Sequence, residues 1–221
     1  METPLTAATP DAVIVVGAGG HAKVIIEILR TADVEVAYCV ARPDAASHCV
    51  GVPVLRTEDA LDELYRRGYR KAVVALGDNR LRARLGQQLR AMGYALTSAV
   101  SPHATISRSA TIGDGVVVMA GVVVNAEARI DDLAILNTGA TVDHDCHIGR
   151  SVHIAPQCAL AGNVRVGENT MLGIGARVIP GITIGRDVMI GAGAVVIRDI
   201  SDGVTAVGVP AREVVRTSTC V

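Results

Sequence analysis

From Val100 to Ser201 the chain reads as seventeen consecutive hexapeptides without an insertion. The first position of each is aliphatic, from Val100, Ile106 and Ile112 through Val142, Ile148 and Ile154 to Ile190 and Val196. The fifth is small or β-branched, as at Ala104, Ala110, Val116, Cys146, Val152, Cys158 and Ala194. A fixed period of six is the signature of a parallel β-helix, in which each repeat buries almost nothing alone and stacking buries the first and fifth side chains. At three hexapeptides per coil the run makes about 5.7 coils. At a ladder spacing of about 4.8 Å it forms a prism roughly 27 Å tall. Residues 202–221 leave the repeat and are expected to act as a cap or tail.

Such an interior explains the composition. Half of the chain is hydrophobic, yet it has no Phe, no Trp and four Tyr, so the core must be built from Val, Ile, Leu and Ala, which suits a narrow, regular interior. A net charge of −1 gives no electrostatic reason for a nucleic-acid or anionic-membrane partner. The start of the chain lacks the basic and apolar regions of a signal peptide, and no apolar run reaches the ~20 residues of a membrane span. The five cysteines (Cys39, Cys49, Cys146, Cys158 and Cys220) are scattered and odd in number. No metal-ligand spacing appears. A reduced, cytoplasmic protein without a metal is expected.

Residues 1–97 follow a different rhythm. Apolar runs at Ala12–Val16, Val34–Val40 and Ala72–Leu76 alternate with helical stretches at His21–Arg30, Thr57–Arg67 and Arg80–Met92. Thr57 is the expected N-cap of the second helix. This alternation predicts a small α/β, Rossmann-like domain ahead of the solenoid, which occupies 98–221. Gly17-Ala18-Gly19-Gly20-His21 sits between the first strand and first helix, where backbone N–H groups can meet a phosphate. The acid that a dinucleotide site wants at the end of the next strand is missing: Val40, Ala41 and Arg42 stand there. A mononucleotide or nucleotide-sugar diphosphate suits this loop better than NAD.

Three imidazoles, His144, His147 and His153, lie within ten residues. All occupy outward positions of the repeat and are expected on the surface. Asp143 and Asp145 flank His144, and a carboxylate beside an imidazole fixes its tautomer and raises its basicity, as a general base requires. His144 and His153 are nine residues apart, half a coil, so they fall on different faces of one prism. One site using both needs a cleft between two prisms, hence an oligomer.

Taken with the repeat, the motifs Gly17–His21, Leu76-Gly77-Asp78-Asn79, Leu136-Asn137-Thr138, Asp143-His144-Asp145, Val152-His153, Ala161-Gly162-Asn163 and the terminal Val207-Gly208-Val209-Pro210-Ala211-Arg212 resemble the hexapeptide-repeat sugar O/N-acetyltransferases of the sialic-acid O-acetyltransferase type. The closer subgroup is the bacterial nucleotide-aminosugar N-acetyltransferases of bacillosamine or perosamine type. The resemblance implies a left-handed β-helix and a homotrimer with acetyl-CoA between adjacent prisms. It implies His144 as base oriented by Asp145, Asn137 facing the sugar, and His153 at the thioester end. Gly162, Ile174, Ala192 and the Arg212 tail would line the cofactor groove. Gly19, Gly20 and His21, with Gly77 and Asn79, would hold the nucleotide sugar. Relatives of the bacillosamine type carry an acidic pair where this chain has Ala41 and Arg42, which assigns Arg42 to the nucleoside side and leaves the base open. The implied chemistry is direct attack of the sugar amine on the thioester. O-acetylation of free sialic acid and a non-catalytic β-helix scaffold are the alternatives.

Overall fold

The computed structural model describes residues 9, 11–57 and 59–214; Cys220 and the rest of the expected tail beyond Val214 lie outside them. The chain divides into two compact units, Met1–Pro102 and His103–Val221.

In the first unit, β1 (Val13–Val16), β2 (Val36–Val40), β4 (Val52–Leu55), β5 (Lys71–Val74) and β6 (Ala95–Leu96) form a parallel sheet, with β3 (His48–Cys49) antiparallel at its edge, in the order β3-β4-β2-β1-β5-β6. All four β1 residues are buried, as expected for a central strand covered on both faces. Helix α1 (Gly20–Thr31) lays Ala22, Ile25, Ile26 and Leu29 into the core, at the three- and four-residue spacing of a helical stripe. Helix α2 (Ala60–Arg66) begins later than the sequence suggests. Its N-cap is Asp59 and no side chain caps it; Thr57 contributes only its carbonyl, to the Ala60 N–H. Helix α3 (Asn79–Ala91) is capped by Asp78, whose carboxylate accepts from the Leu81 N–H at 2.7 Å. The β3–β4 hairpin, which the sequence did not suggest, turns through Val50 and Gly51, both at positive φ. All four tyrosines fall in this unit, as two edge-on pairs, Tyr38–Tyr69 and Tyr65–Tyr94. The last short strand here, β7 (Ala99–Val100), already carries the hexapeptide spacing yet belongs to this unit and packs on α1.

The second unit is a left-handed parallel β-helix. Two-residue strands recur every six residues and pair in register every eighteen, Ile135 with His153 and His153 with Met171 for example. One sheet carries Val117–Val118, Ile135–Leu136, His153–Ile154, Met171–Leu172 and Met189–Ile190. The second carries Thr141–Val142 and Ala159–Leu160 among its rungs, and the third Arg129–Ile130, His147–Ile148 and Arg165–Val166. Leu136, Val142, Ile148 and Ile154 are fully buried, as are the fifth-position Ala140, Val152 and Cys158. Thr170, the one hydroxyl at a fifth position, donates to the Gly185 carbonyl and accepts from the Val188 N–H, so its burial costs no hydrogen bond.

The turns impose a second rule. At nearly every corner the fourth residue of the hexapeptide is left-handed: Gly139, Asp145, Ser151, Gln157, Asn163, Asn169 and Gly175 all have φ between 55° and 70°. Gly, Asn and Asp tolerate this region best. At the end, Thr205–Val207 pairs antiparallel with Arg212–Val214.

Candidate active site

The solenoid brings the expected chemistry together at two corners. At the first, between the second and third sheets, the turn Asp143–Cys146 carries His144. Its Nδ1 lies 2.7 Å from Asp145 Oδ2. A carboxylate only accepts, so Nδ1 carries the proton and Nε2 keeps the lone pair. The left-handed φ of Asp145 turns its carboxylate onto the ring. That hydrogen bond, then the charges of Asp143 and Asp145, hold the His144 pKa above the usual imidazole value, with slight burial opposing. Asp143 plays a different part: its Oδ1 accepts the His144 backbone N–H at 2.8 Å and the Asn125 side-chain amide at 2.9 Å. These two bonds hold its own pKa below the usual carboxylate range.

One coil above, Gly162 lies against the imidazole. A Cβ there would come within 2.6 Å of His144 Nε2 and 2.5 Å of Cε1. Absence of a side chain is what lets the ring lie flat on the next coil. Cys146 beside it packs inward. Its thiol is buried, donates to the Ala161 carbonyl at 3.2 Å, and is pushed above the usual thiol range chiefly by burial.

The second corner, between the first and second sheets, carries Asn137, Ile174 and Ala192. Asn137 Oδ1 accepts from the Thr138 N–H at 2.8 Å, which fixes its amide so that Nδ2 faces His153 Nε2 at 3.1 Å. His153 therefore accepts at Nε2 and is a neutral imidazole protonated at Nδ1. The ring is 7% exposed, which corrects the expectation of a surface histidine. Its outward position lies in register between the large side chains of Ile135 and Met171, and the repeat shows inward residues only. Ile174 and Ala192 sit one coil apart on this corner, and Ile174 is an isoleucine left 61% exposed. Arg212 lies on the terminal antiparallel strand, exposed, its guanidinium turned to the Ala211 carbonyl. His147, the third imidazole, is on the third sheet and pairs with Asp131, away from both corners.

The residues expected on the nucleotide side lie in the first unit, where Gly19 and Arg42, but not Gly20, His21, Gly77 or Asn79, line its hollow. Gly17, Ala18, Gly19, Arg42, Asp44, Arg56, Leu76 and Leu81 line a hollow of about 820 Å³. The glycines divide into two kinds. Gly17 has φ +127°, and a Cβ on it would meet the Ala75 carbonyl at 2.7 Å, so the fold requires it. Gly19, Gly20 and Gly77 open onto empty space, so the fold itself does not require their missing side chains. Gly19 is the N-cap of α1, where N–H groups and the helix dipole favour an anion. Burial, then the neighbouring Arg82 charge, pushes His21 down to about 4, so its ring is neutral near pH 7. Arg42 is 87% exposed on its side chain and stands 3.7 Å from Asp44.

Arg82 escaped the sequence reading. It is fully buried and donates to the Leu76 carbonyl at 2.9 Å, the Gly77 carbonyl at 3.2 Å and Asn79 Oδ1 at 2.8 Å. It thus ties together the loop that holds Gly77 and Asn79. Arg80, Arg82 and Arg84 alternate along the start of α3, and only the tertiary packing of the helix picks out the middle one. Among the described residues no group of His, Cys, Asp and Glu is placed to hold a metal, and no helix is long and apolar enough to cross a membrane.

Comparison with known proteins follows the same division. Residues 12–89 match the PglD N-terminal domain, 163–198 the bacterial transferase hexapeptide (six repeats) and 103–126 the hexapeptide repeat of succinyl-transferase. PerB from Caulobacter crescentus, solved with CoA and GDP-perosamine, is 51% identical over 92% of this chain and 97% of that one, with a TM-score of 0.89. The chain belongs to the hexapeptide-repeat sugar acetyltransferases of the PerB and PglB type. The acetyltransferase domain of PglB from Neisseria gonorrhoeae, solved with acetyl coenzyme A, is 40% identical over 93% of this chain and 100% of that one, with a TM-score of 0.86. GDP-perosamine N-acetyltransferase of Escherichia coli O157:H7 is 28% identical over 176 residues, 77% of this chain and 79% of that one. The chain is thus an acetyl-CoA-dependent sugar N-acetyltransferase, and neither a hydroxyl acceptor nor a non-catalytic scaffold is carried further.

Proposed function

We propose that this enzyme transfers the acetyl group of acetyl-CoA to the amine of GDP-perosamine or a close GDP-linked 4-amino sugar, for surface glycan synthesis, as a cytoplasmic homotrimer. The observation that carries the chemistry is the His144 ring, its Nδ1 proton held by Asp145 and its Nε2 lone pair left for the acceptor. The amine attacks the thioester carbonyl. His144 takes the proton as the C–N bond forms, backbone N–H groups steady the oxyanion, and the CoA thiolate leaves. No covalent acyl-enzyme is needed.

The two corners are half-sites. His144, Asp145 and Gly162 make one, Asn137, His153, Ile174 and Ala192 the other, and a single prism holds them on different edges. Two neighbouring prisms bring one of each together, with the pantetheine arm between them. The nucleotide is assigned to the hollow of the first unit, its diphosphate over Gly19, Gly20 and His21. The acceptor's base is taken as guanine because PerB and the Escherichia coli enzyme both bear GDP-perosamine in their names or ligands. Arg42 and Asp44 at the rim offer the donors and acceptor that a guanine edge can use, where an acidic pair offers acceptors alone.

Titration calorimetry with GDP, UDP and dTDP tests this. GDP should bind most tightly and independently of CoA. Preference for UDP, or competition between GDP and CoA, would overturn the assignment of the hollow.

A further inference from the structure

The structure assigns Asn125 and Asp143 as positioning residues that aim His144 through its backbone, an inference that rests on His144 being the base. Asn125 and Asp143 are eighteen residues apart, hence one above the other on successive coils. Asn125 Nδ2 donates to Asp143 Oδ1 at 2.9 Å, and the same oxygen accepts the His144 N–H at 2.8 Å. From above, the Asn163 N–H donates to the His144 carbonyl at 2.9 Å. The peptide units on both sides of the His144 Cα are therefore tied to neighbouring coils. That fixes the direction of its Cα–Cβ bond before Asp145 sets the ring.

The need for such a clamp follows from the corner itself. His144 is at a turn, its side chain is 55% exposed, and Gly162 on the coil above offers no side chain to pack against the ring. The ring is located by its backbone and by one carboxylate. The Asp143 N–H to Leu160 carbonyl and Asp145 N–H to Ala126 carbonyl bonds hold the turn as a whole; the Asn125–Asp143 bracket adds the hold on the peptide preceding His144, and without it that peptide can tilt and carry Nε2 off the line of attack. The two aspartates thus have separate tasks: Asp145 sets the tautomer and Asp143 the aim.

Besides His144, the ionisable side chains at this corner on the three coils are Asp143, Asp145 and the buried thiol of Cys146 on the turn itself and Glu127 on the coil below. The coil above supplies Ala161, Gly162 and Asn163, none of which titrates. Charge and aim at position 143 can therefore be separated. Asp143→Asn keeps Oδ1 as an acceptor for both bonds and removes only the charge. Asp143→Ala removes both bonds, and Asn125→Ala removes the tether to the coil below.

Steady-state kinetics on the full-length enzyme, with acetyl-CoA and the aminosugar nucleotide varied separately across pH, tests the assignment. Asp143→Ala should lower kcat about tenfold or more, the range that misplacing a reacting group produces, with both KM values little changed. Asn125→Ala should lower kcat by a smaller factor. Asp143→Asn should restore most of kcat, with the acidic limb of its pH profile moved to lower pH because a charge that raised the His144 pKa is gone. In a His144→Ala background, Asp143→Ala should cost nothing further, the non-additivity expected of residues acting through one group. Unchanged kcat in both Asp143→Ala and Asn125→Ala would overturn the assignment, as would Asp143→Asn falling as far as Asp143→Ala. If His144→Ala alone kept the wild-type rate, the reading of the base would fail instead, and the two failures are distinguishable.

Discussion

A histidine between two aspartates is visible in the sequence, but which acid does what is not. The structure separates them by what each carboxylate reaches. Asp145, at the left-handed fourth position, meets the ring at Nδ1; Asp143, at the second position, accepts the His144 backbone N–H. Two outcomes follow for the base. His144→Ala should lower kcat by the ~10²–10⁴ typical of lost general-base catalysis, with acetyl-CoA binding retained. Asp145→Asn should cost less. It should also shift the acidic limb of the kcat profile downward, since the Asp145 hydrogen bond is the largest cause of the raised His144 pKa. The sign is fixed by the chemistry: a base is active when neutral, so a raised pKa means activity is lost on acidification at a higher pH, and removing the cause moves that loss to lower pH. A profile unaltered in Asp145→Asn would break the link between this carboxylate and the base.

Among the elements, the loop between β1 and α1 holds two glycines, two residues apart, that differ in physical role. A side chain at Gly17 must occupy the space of the Ala75 carbonyl at a φ of +127°, and Gly17→Val should destabilise the fold by several kcal/mol, as overpacking at a strained position does. A side chain at Gly19 meets nothing within 4 Å. Gly19→Val should therefore leave the melting temperature nearly unchanged and raise KM for the sugar nucleotide strongly, with KM for acetyl-CoA unaffected. Equal loss of both KM values, or a large fall in melting temperature, would remove the diphosphate from this loop. The sequence made the solenoid legible because burial acts on two of every six positions along almost the whole run, with only the first rungs, at Val100, Ala104, Ile106, Ala110 and Ile112, half-buried. It left the β3–β4 hairpin unread because Val50 bears a left-handed turn with a residue that gives no turn signal. It left the buried state of His153 unread because outward positions are sorted by their neighbours on adjacent coils, eighteen residues away, and no local pattern records them.

At the scale of the whole molecule, the proposed reacting groups lie on two corners of one prism. Asn137 and His153 share a hydrogen bond, His144 and Asp145 share another, and half a coil separates the pairs. Activity should therefore require assembly. Sedimentation should give a species of roughly three times the 22.8 kDa chain, by the closed symmetry common to oligomers. Mixing inactive His144→Ala and His153→Ala subunits under conditions that allow exchange should recover activity, because some interfaces then pair an intact His144 corner with an intact His153 corner. A fully active monomer, or no recovery from exchanged subunits, would refute the shared site.

The most direct measurement is the mass of the acceptor after reaction. GDP-perosamine incubated with acetyl-CoA and the wild-type enzyme should gain one acetyl group, on nitrogen, with one free CoA thiol released per sugar. The same mixture with His144→Ala should yield almost none in the same time. Acetylation on a hydroxyl, efficient transfer to a free sugar lacking the nucleotide, or equal rates for the two proteins would contradict the account.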